Sequence, residues 1–426
     1  EGQLQIEVQA LQGAGARTLS NGALTLEGDA LDISGGTTAA RDVHVTAGSL
    51  DNAGGTLSAT GEQAMVVQVR DTLGNDGGTI AANGAQQLSA GTLSNVGGTL
   101  SSAGSADTRI EVAGQFDNSR GTVASNANAL ELQAGSLVNQ AGRIAHAGEG
   151  GLTVQTGTLS GQQGTIATAG TLTLRAGEAD HREATLSANQ LDIVATSFDN
   201  RGGTVVSGGT GPSTVSVQGT LDNGNNGTLA ANGDLTITAA TFGNDGGTVQ
   251  QAGTGTLAIS AHTLNGQGGK LLSNGSLELV GETTDLRNGT TAAQRISVQT
   301  GALTTAGGTL TAAGTDAFAL EVRGTLDNTA GTLATNGTLD LHAAQLLNNQ
   351  GTLQAAGTGA HQLAIGGALE NRGGRILTGG TTTVTAASVD NRAGIVHTDG
   401  SASLTLTVDG LLHNSAQGTI NAGGNT

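Results

Sequence analysis

The chain of 426 residues has no cysteine, no tryptophan and no tyrosine, and it carries one proline, Pro212, and four phenylalanines. Each shortage excludes a class of protein. Without cysteine there is no disulfide framework and no thiolate metal site. Ordinary cores of this chain length are dominated by aromatic side chains, so a conventional globular domain is excluded. Collagen needs abundant proline and glycine at every third position, and neither is present. No apolar run reaches the roughly 18 residues of a membrane helix, so no transmembrane segment is expected. Lys and Arg number 16 against 34 Asp and Glu, a net charge of −18, and the arginines are scattered. Such a surface repels phosphate backbones, so nucleic-acid binding is not expected, and anionic glycans are disfavoured for the same reason. The sequence starts at Glu1 with no charged-then-apolar leader. The expectation is that any export signal lies outside it and that it is an interior fragment of a larger protein.

What is present is glycine, 73 of 426 residues or 17%, against a usual share of about 7%. Leu, Ile, Val and Phe together make 90 of 426 residues, 21%, close to the level of about 20% below which chains tend to be disordered. A repeat gives this composition its meaning. Aligning the chain on the residue that closes a Gly-Gly-Thr-Leu-like phrase gives 20 anchors, from Leu19, Thr38, Leu57 and Ile80 through to Val396 and Ile420. Their mean spacing is about 21 residues.

Each unit reads Leu-x-Asn-x-Gly-Gly-Thr-Leu-x-Ala, a corner, then Leu-x-Leu-x-Ala. Pairs such as Leu24/Leu26, Leu130/Leu132 and Leu277/Leu279 alternate with period two, which predicts short strands with one buried face. Corners are often Asn-Gly, as at Asn83-Gly84 and Asn274-Gly275, and both residues tolerate positive φ. A unit this small cannot bury its apolar side alone, whereas stacked units form a continuous column. The predicted fold is all-β, a parallel β-helix (β-solenoid) of about 20 coils of 19–24 residues, with residues 1–426 as one continuous repeat domain. A core one coil wide has little room for aromatics, and Phe116, Phe198 and Phe242 take the leucine position seven residues before the anchor.

Five residues before the anchor an asparagine recurs, at Asn52, Asn75, Asn95, Asn118, Asn139, Asn200, Asn244, Asn328, Asn348, Asn371 and Asn391. Identical residues of successive coils lie about 4.8 Å apart, so these amides are expected to hydrogen-bond into a structural ladder.

These phrases resemble the filamentous haemagglutinin repeats of large bacterial two-partner-secretion exoproteins. Residues 50–57, Leu-Asp-Asn-Ala-Gly-Gly-Thr-Leu, and 326–333, Leu-Asp-Asn-Thr-Ala-Gly-Thr-Leu, carry the resemblance, and it extends over essentially the whole chain. It implies a right-handed parallel β-helix, export through a dedicated outer-membrane two-partner-secretion transporter, and a fibre on the surface of a Gram-negative bacterium. It also implies an adhesin, or the stalk of a contact-dependent growth-inhibition toxin, with a receptor on host or bacterial cells. No Asn-Pro-Asn-Gly phrase like that of the family's secretion domain is present, so the segment reads as shaft.

The repeat weakens at Glu178–Leu186, after Val205 from Ser207 through Pro212, and at Gly281–Arg295. Insertions in repeat proteins often carry binding, which makes Asp180, His181, Arg182 and Pro212 candidate binding-loop residues, with repeat decay as the plain alternative. No catalytic, cofactor or metal-binding residues are expected. The eight histidines show no paired ligand spacing and read as solvated or loop residues. Asp-Asn pairs such as Asp51-Asn52 and Asp327-Asn328 leave a calcium row as a weak alternative, and the Asn-Gly-Ser/Thr sequons at Asn226, Asn274, Asn288 and Asn336 follow from the repeat itself. A β-helical polysaccharide-cleaving enzyme is the remote alternative, and the chain lacks the Tyr, Trp and dense charged cleft such enzymes use.

Overall fold

The computed structural model describes residues 2–423. Among these residues there are 45 strands and no helix. The chain divides into two compact units, Glu1–Gly209 and Thr210–Thr426. Each is a β-solenoid of parallel strands, and in each a sheet of ten stacked short strands runs alongside the longer ones, Arg17–Leu19 to Thr204–Ser207 in the first and Thr228–Ala231 to Thr419–Ala422 in the second.

One coil of the first unit shows how the sequence produces this. Thr56–Ala59 is a short strand, residues 60–64 make a corner, Met65–Gly74 is a long strand, and a turn at residues 75–78 leads to the next short strand, Thr79–Ala82. Leu57, Ala59, Met65, Val67, Val69 and Leu73 point inward and are buried, while their odd-even neighbours face out. Each inward residue sits beside its counterpart: Leu57 pairs with Ile80, and Leu73 with Leu93. The long strands bend midway at small residues, and register shifts mark the bend, as between Val112 and Gln115. In the second unit the strand breaks there, into Arg295–Thr300 and Ala302–Thr304 around Gly301.

Coil length varies mainly at one corner. Between short and long strand there is a single residue at Arg41, but there are five at 60–64, 103–107 and 147–151. The segment from Gly208 to Pro212 has the same length, and Pro212 is exposed just before strand Ser213–Asp222. The two other weakened stretches also keep register, with Leu186 beside Ile166 and Thr291 beside Leu271. One anchor needs correction: Thr18, not Leu19, lies beside Thr38, and Leu19 is exposed.

The aromatic positions follow the same logic. Phe116, Phe198 and Phe242 are buried in the leucine column, and Phe318 is buried at the start of its long strand, beside Leu339. Met65 is also fully buried.

Burial predicts opposite outcomes for adjacent residues. Leu279 is 2% exposed and Val280 is 51% exposed. Leu279→Asp places an unpaired charge in the column and is expected to unfold local coils, whereas Val280→Asp is expected to shift stability by no more than about 0.5 kcal/mol. Hydrogen exchange of residues 256–304 in the two variants checks this.

Candidate functional site

The most ordered polar feature is the column of side chains that opens the turn before each short strand. In the first unit Asn52 Nδ2 donates to Asn75 Oδ1 at 2.7 Å, Asn75 to Asn95 at 2.7 Å, Asn95 to Asn118 at 2.7 Å and Asn118 to Asn139 at 2.8 Å. In the second unit Asn223 donates to Asn244 at 2.8 Å. A longer run begins where Thr305 Oγ1 donates to Asn328 Oδ1 at 2.9 Å and continues through Asn348, Asn371 and Asn391 to Asn414. Most of these amides also donate to carbonyls of their own turn and of the next strand; for Asn52 these are Gly55 O at 3.4 Å and Thr79 O at 3.1 Å. Asn52 Oδ1 is buried without a partner, because the coil before it has Ile33 in the column. Gly161 interrupts the column after Asn139, and Gly266 and Leu286 interrupt it after Asn244.

The turn explains which glycines the repeat needs. Its third residue takes positive φ, 62° at Gly54, yet Arg120, Ala141, Gln163 and Ala330 adopt it at 51–58°. Its fourth residue is more constrained. A Cβ on Gly98 would lie 2.1 Å from Asn75 O and 2.5 Å from Asn95 Oδ1. The asparagine side chain folds over this glycine, so the second glycine of Gly-Gly is the one the ladder requires.

Two ladder asparagines escape the five-residue rule. Asn223 and Asn414 stand six residues before their anchors, Leu229 and Ile420, because their turns hold an extra residue. Two consecutive positive φ values accommodate it, at Asn225 and Asn226 and at Ala416 and Gln417. For Asn223, the phrase Leu221-Asp222-Asn223 is the sequence signal that fixed spacing overlooks.

The aspartate before the ladder residue caps the turn. Asp51, Asp117, Asp222 and Asp327 each accept, through Oδ1, the backbone N–H two residues on, at 2.8–2.9 Å. That role accounts for the Asp-Asn pairs without calcium. Among the described residues no group of three His, Cys, Asp or Glu could hold a metal ion. Where arginine follows, ion pairs join the cap: Arg287 with Asp285 at 2.6 Å, and Arg392 and Arg372 with Asp390 at 2.7 Å each. The Arg392 guanidinium, helped by Arg372, holds the Asp390 carboxyl well below the usual carboxylate range. Arg182 does the same to Asp180.

Asp180, His181 and Arg182 are not on a protruding loop. They form the regular turn of their coil, with Arg182 N donating to Asp180 Oδ1 at 3.2 Å and the two side chains paired at 2.7 Å. His181 occupies the asparagine column and is 1% exposed. Pro212 belongs to the other unit. The reading of the histidines as solvated is corrected here and at two further positions. His146 is buried, its Nε2 2.8 Å from Ala127 O and its Nδ1 2.9 Å from Thr168 Oγ1. His361 is buried, accepting from Leu339 N at Nδ1 and meeting Gly357 O at Nε2. All three ring positions answer backbone or ladder geometry that ligand spacing does not reveal.

On the bend side of the second unit a cleft of about 480 Å³ is lined by His262, Val280, Glu282, Glu321 and Arg323 among others. Arg323 Nη2 reaches Glu282 Oε1 at 2.7 Å across the intervening coil, where Gly301 leaves the way open. As a surface ion pair it contributes at most about 1 kcal/mol.

Removing one ladder member should be felt on both sides. Asn95→Ala leaves Asn118 Oδ1 buried without its donor and is expected to cost about 1–3 kcal/mol. Gly98→Ala is expected to cost more than Gly97→Ala, which has open space around its Cβ and carries only the strain of φ 62°. Hydrogen exchange across residues 75–143 ranks the three.

No helix among the described residues is long and apolar enough to cross a membrane. The searches of curated proteins and of solved structures return no match. The haemagglutinin repeat model matches residues 1–64, 66–120, 112–149, 147–223, 209–257, 252–316, 312–373 and 360–426. These overlapping stretches cover nearly every residue, and the chain belongs to the haemagglutinin repeat family.

Proposed function

We propose that the chain is a structural and adhesive shaft segment of a large secreted bacterial surface exoprotein. In this reading it is one continuous repeat domain, exported through an outer-membrane two-partner-secretion transporter, and it engages a receptor on a host cell while carrying whatever lies beyond it away from the bacterial surface. The observation that supports the reading is the succession of haemagglutinin repeat matches along the chain, each longer than a single coil. A repeat of this kind builds length and side-chain columns rather than a single enclosed pocket. The residues that would carry the mechanical role are the ladder asparagines, because they tie each coil to the next through buried hydrogen bonds. The outward-facing, half-buried threonines of the short strands, such as Thr56, Thr79 and Thr99, and the capped turns would be the surfaces offered to a receptor.

Beads coated with residues 1–426 provide the test. They are expected to bind epithelial cells above beads coated with an unrelated acidic protein. Binding to bacteria alone would favour the stalk of an inter-bacterial toxin, and binding to neither would contradict the adhesive part of the proposal.

A further inference from the structure

The ladder of the first unit contains one titratable side chain. His181 Nδ1 lies 2.8 Å from Asn200 Oδ1, and Asn200 Nδ2 donates to Gly203 O, so the proton of the neutral ring sits on Nδ1. The ring stacks on Phe198, with centroids 5.7 Å apart. Room for it comes from Ala179, which replaces leucine in the column seven residues before the anchor. The turn has changed with it: its fourth residue is Ala184, where the asparagine coils have glycine.

The other ring nitrogen is the anomaly. Nε2 is buried and has no hydrogen-bond partner. The preceding coil has Gly161 in the column, so no side chain there can donate or accept. The charged groups around the ring are already engaged. On its own turn Asp180 pairs with Arg182 at 2.7 Å, and Glu183 accepts from Gln163 Nε2 at 3.0 Å. In the following coil Asp199 pairs with Arg201 at 2.6 Å, and Arg182 lies 3.7 Å from it. The turn of the preceding coil, residues 161–164, carries no ionisable side chain. Burial pushes the imidazole down, against smaller opposing effects of Asn200, the Thr185 carbonyl and Asp180.

We propose that His181 is an acid-sensitive joint of the first unit: proton uptake at Nε2 opens its coil and the coils stacked directly on it, while the asparagine coils farther away, those of Asn75 and Asn95, stay closed. Above about pH 6.5 the ring is neutral in both the closed and the open coil, and the full stability is present. Below that, the open coil takes up a proton that the closed coil resists, so stability is lost as pH falls.

Hydrogen exchange of the whole chain at pH 7 and pH 5, corrected for intrinsic rates, reads this directly. Opening of residues 171–207 is expected to rise by up to about 25-fold at pH 5 relative to pH 7, the limit set by one proton taken up at the ordinary histidine pKa of about 6.5. Residues 75–125 are expected to change far less. The double variant His181→Asn with Ala184→Gly restores the repeat's own pair, and His181→Gln removes the titrating group alone. Either variant is expected to lose the selective acid response. Equal opening of residues 171–207 at the two pH values in the unmodified chain, or an undiminished response in the variants, would overturn the proposal.

Discussion

Everything in this protein depends on coils stacking in register, so that each inward side chain rests on its counterpart one coil away. The asparagine column is where that constraint is most exacting. A carboxamide offers two donors and one acceptor oxygen, and the parallel spacing of about 4.8 Å lets it accept from one coil and donate to the next. A slip of one residue would turn the amides outward and leave the carbonyls they serve without partners. Register is therefore written into the polar column as firmly as into the apolar ones.

The apolar columns explain how so spare a composition folds. Leu24, Leu26, Leu31, Leu50, Leu57 and Leu73 are all essentially buried, in a core only one coil wide. Full burial of a leucine is worth roughly 1.5–3 kcal/mol, and it is gained from neighbouring coils rather than within one. The few aromatic side chains replace leucine in the column: Phe198 lies beside the small Ala179, and Phe116 and Phe242 each stand between two leucines. Glycine is partly filler and partly structural: Gly97 can be replaced in kind by Ala141 or Arg120 of other coils, while Gly98 lies beneath an amide.

The fold was legible because period and alternation are properties of the chain itself. Seventeen anchor pairings, from Thr38 beside Leu57 to Val396 beside Ile420, stand where the repeat places them. What escaped the sequence were departures that keep geometry while changing spacing or residue type. Leu19 looked like an anchor because a leucine closes the phrase there, although Thr18 holds the position beside Thr38, and Asn223 and Asn414 fell outside a fixed five-residue rule because their turns hold an extra residue. His181 drew notice as part of a charged phrase, yet its neighbours Asp180 and Arg182 are ordinary turn residues and the histidine is the buried one. A sequence window shows charge density. It does not show that one position of the window points inward.

In-register stacking is tested most directly by distances along one column. The chain has no cysteine, so paired substitutions give unambiguous spin labels. Thr37 and Thr122 are four coils apart on the outward face of the short strands, and Thr37 and Thr165 are six apart. Double electron–electron resonance should return narrow distributions near 19 Å and 29 Å, from about 4.8 Å per coil. Broad distributions, or distances that do not grow in proportion to the number of coils, would contradict the stack.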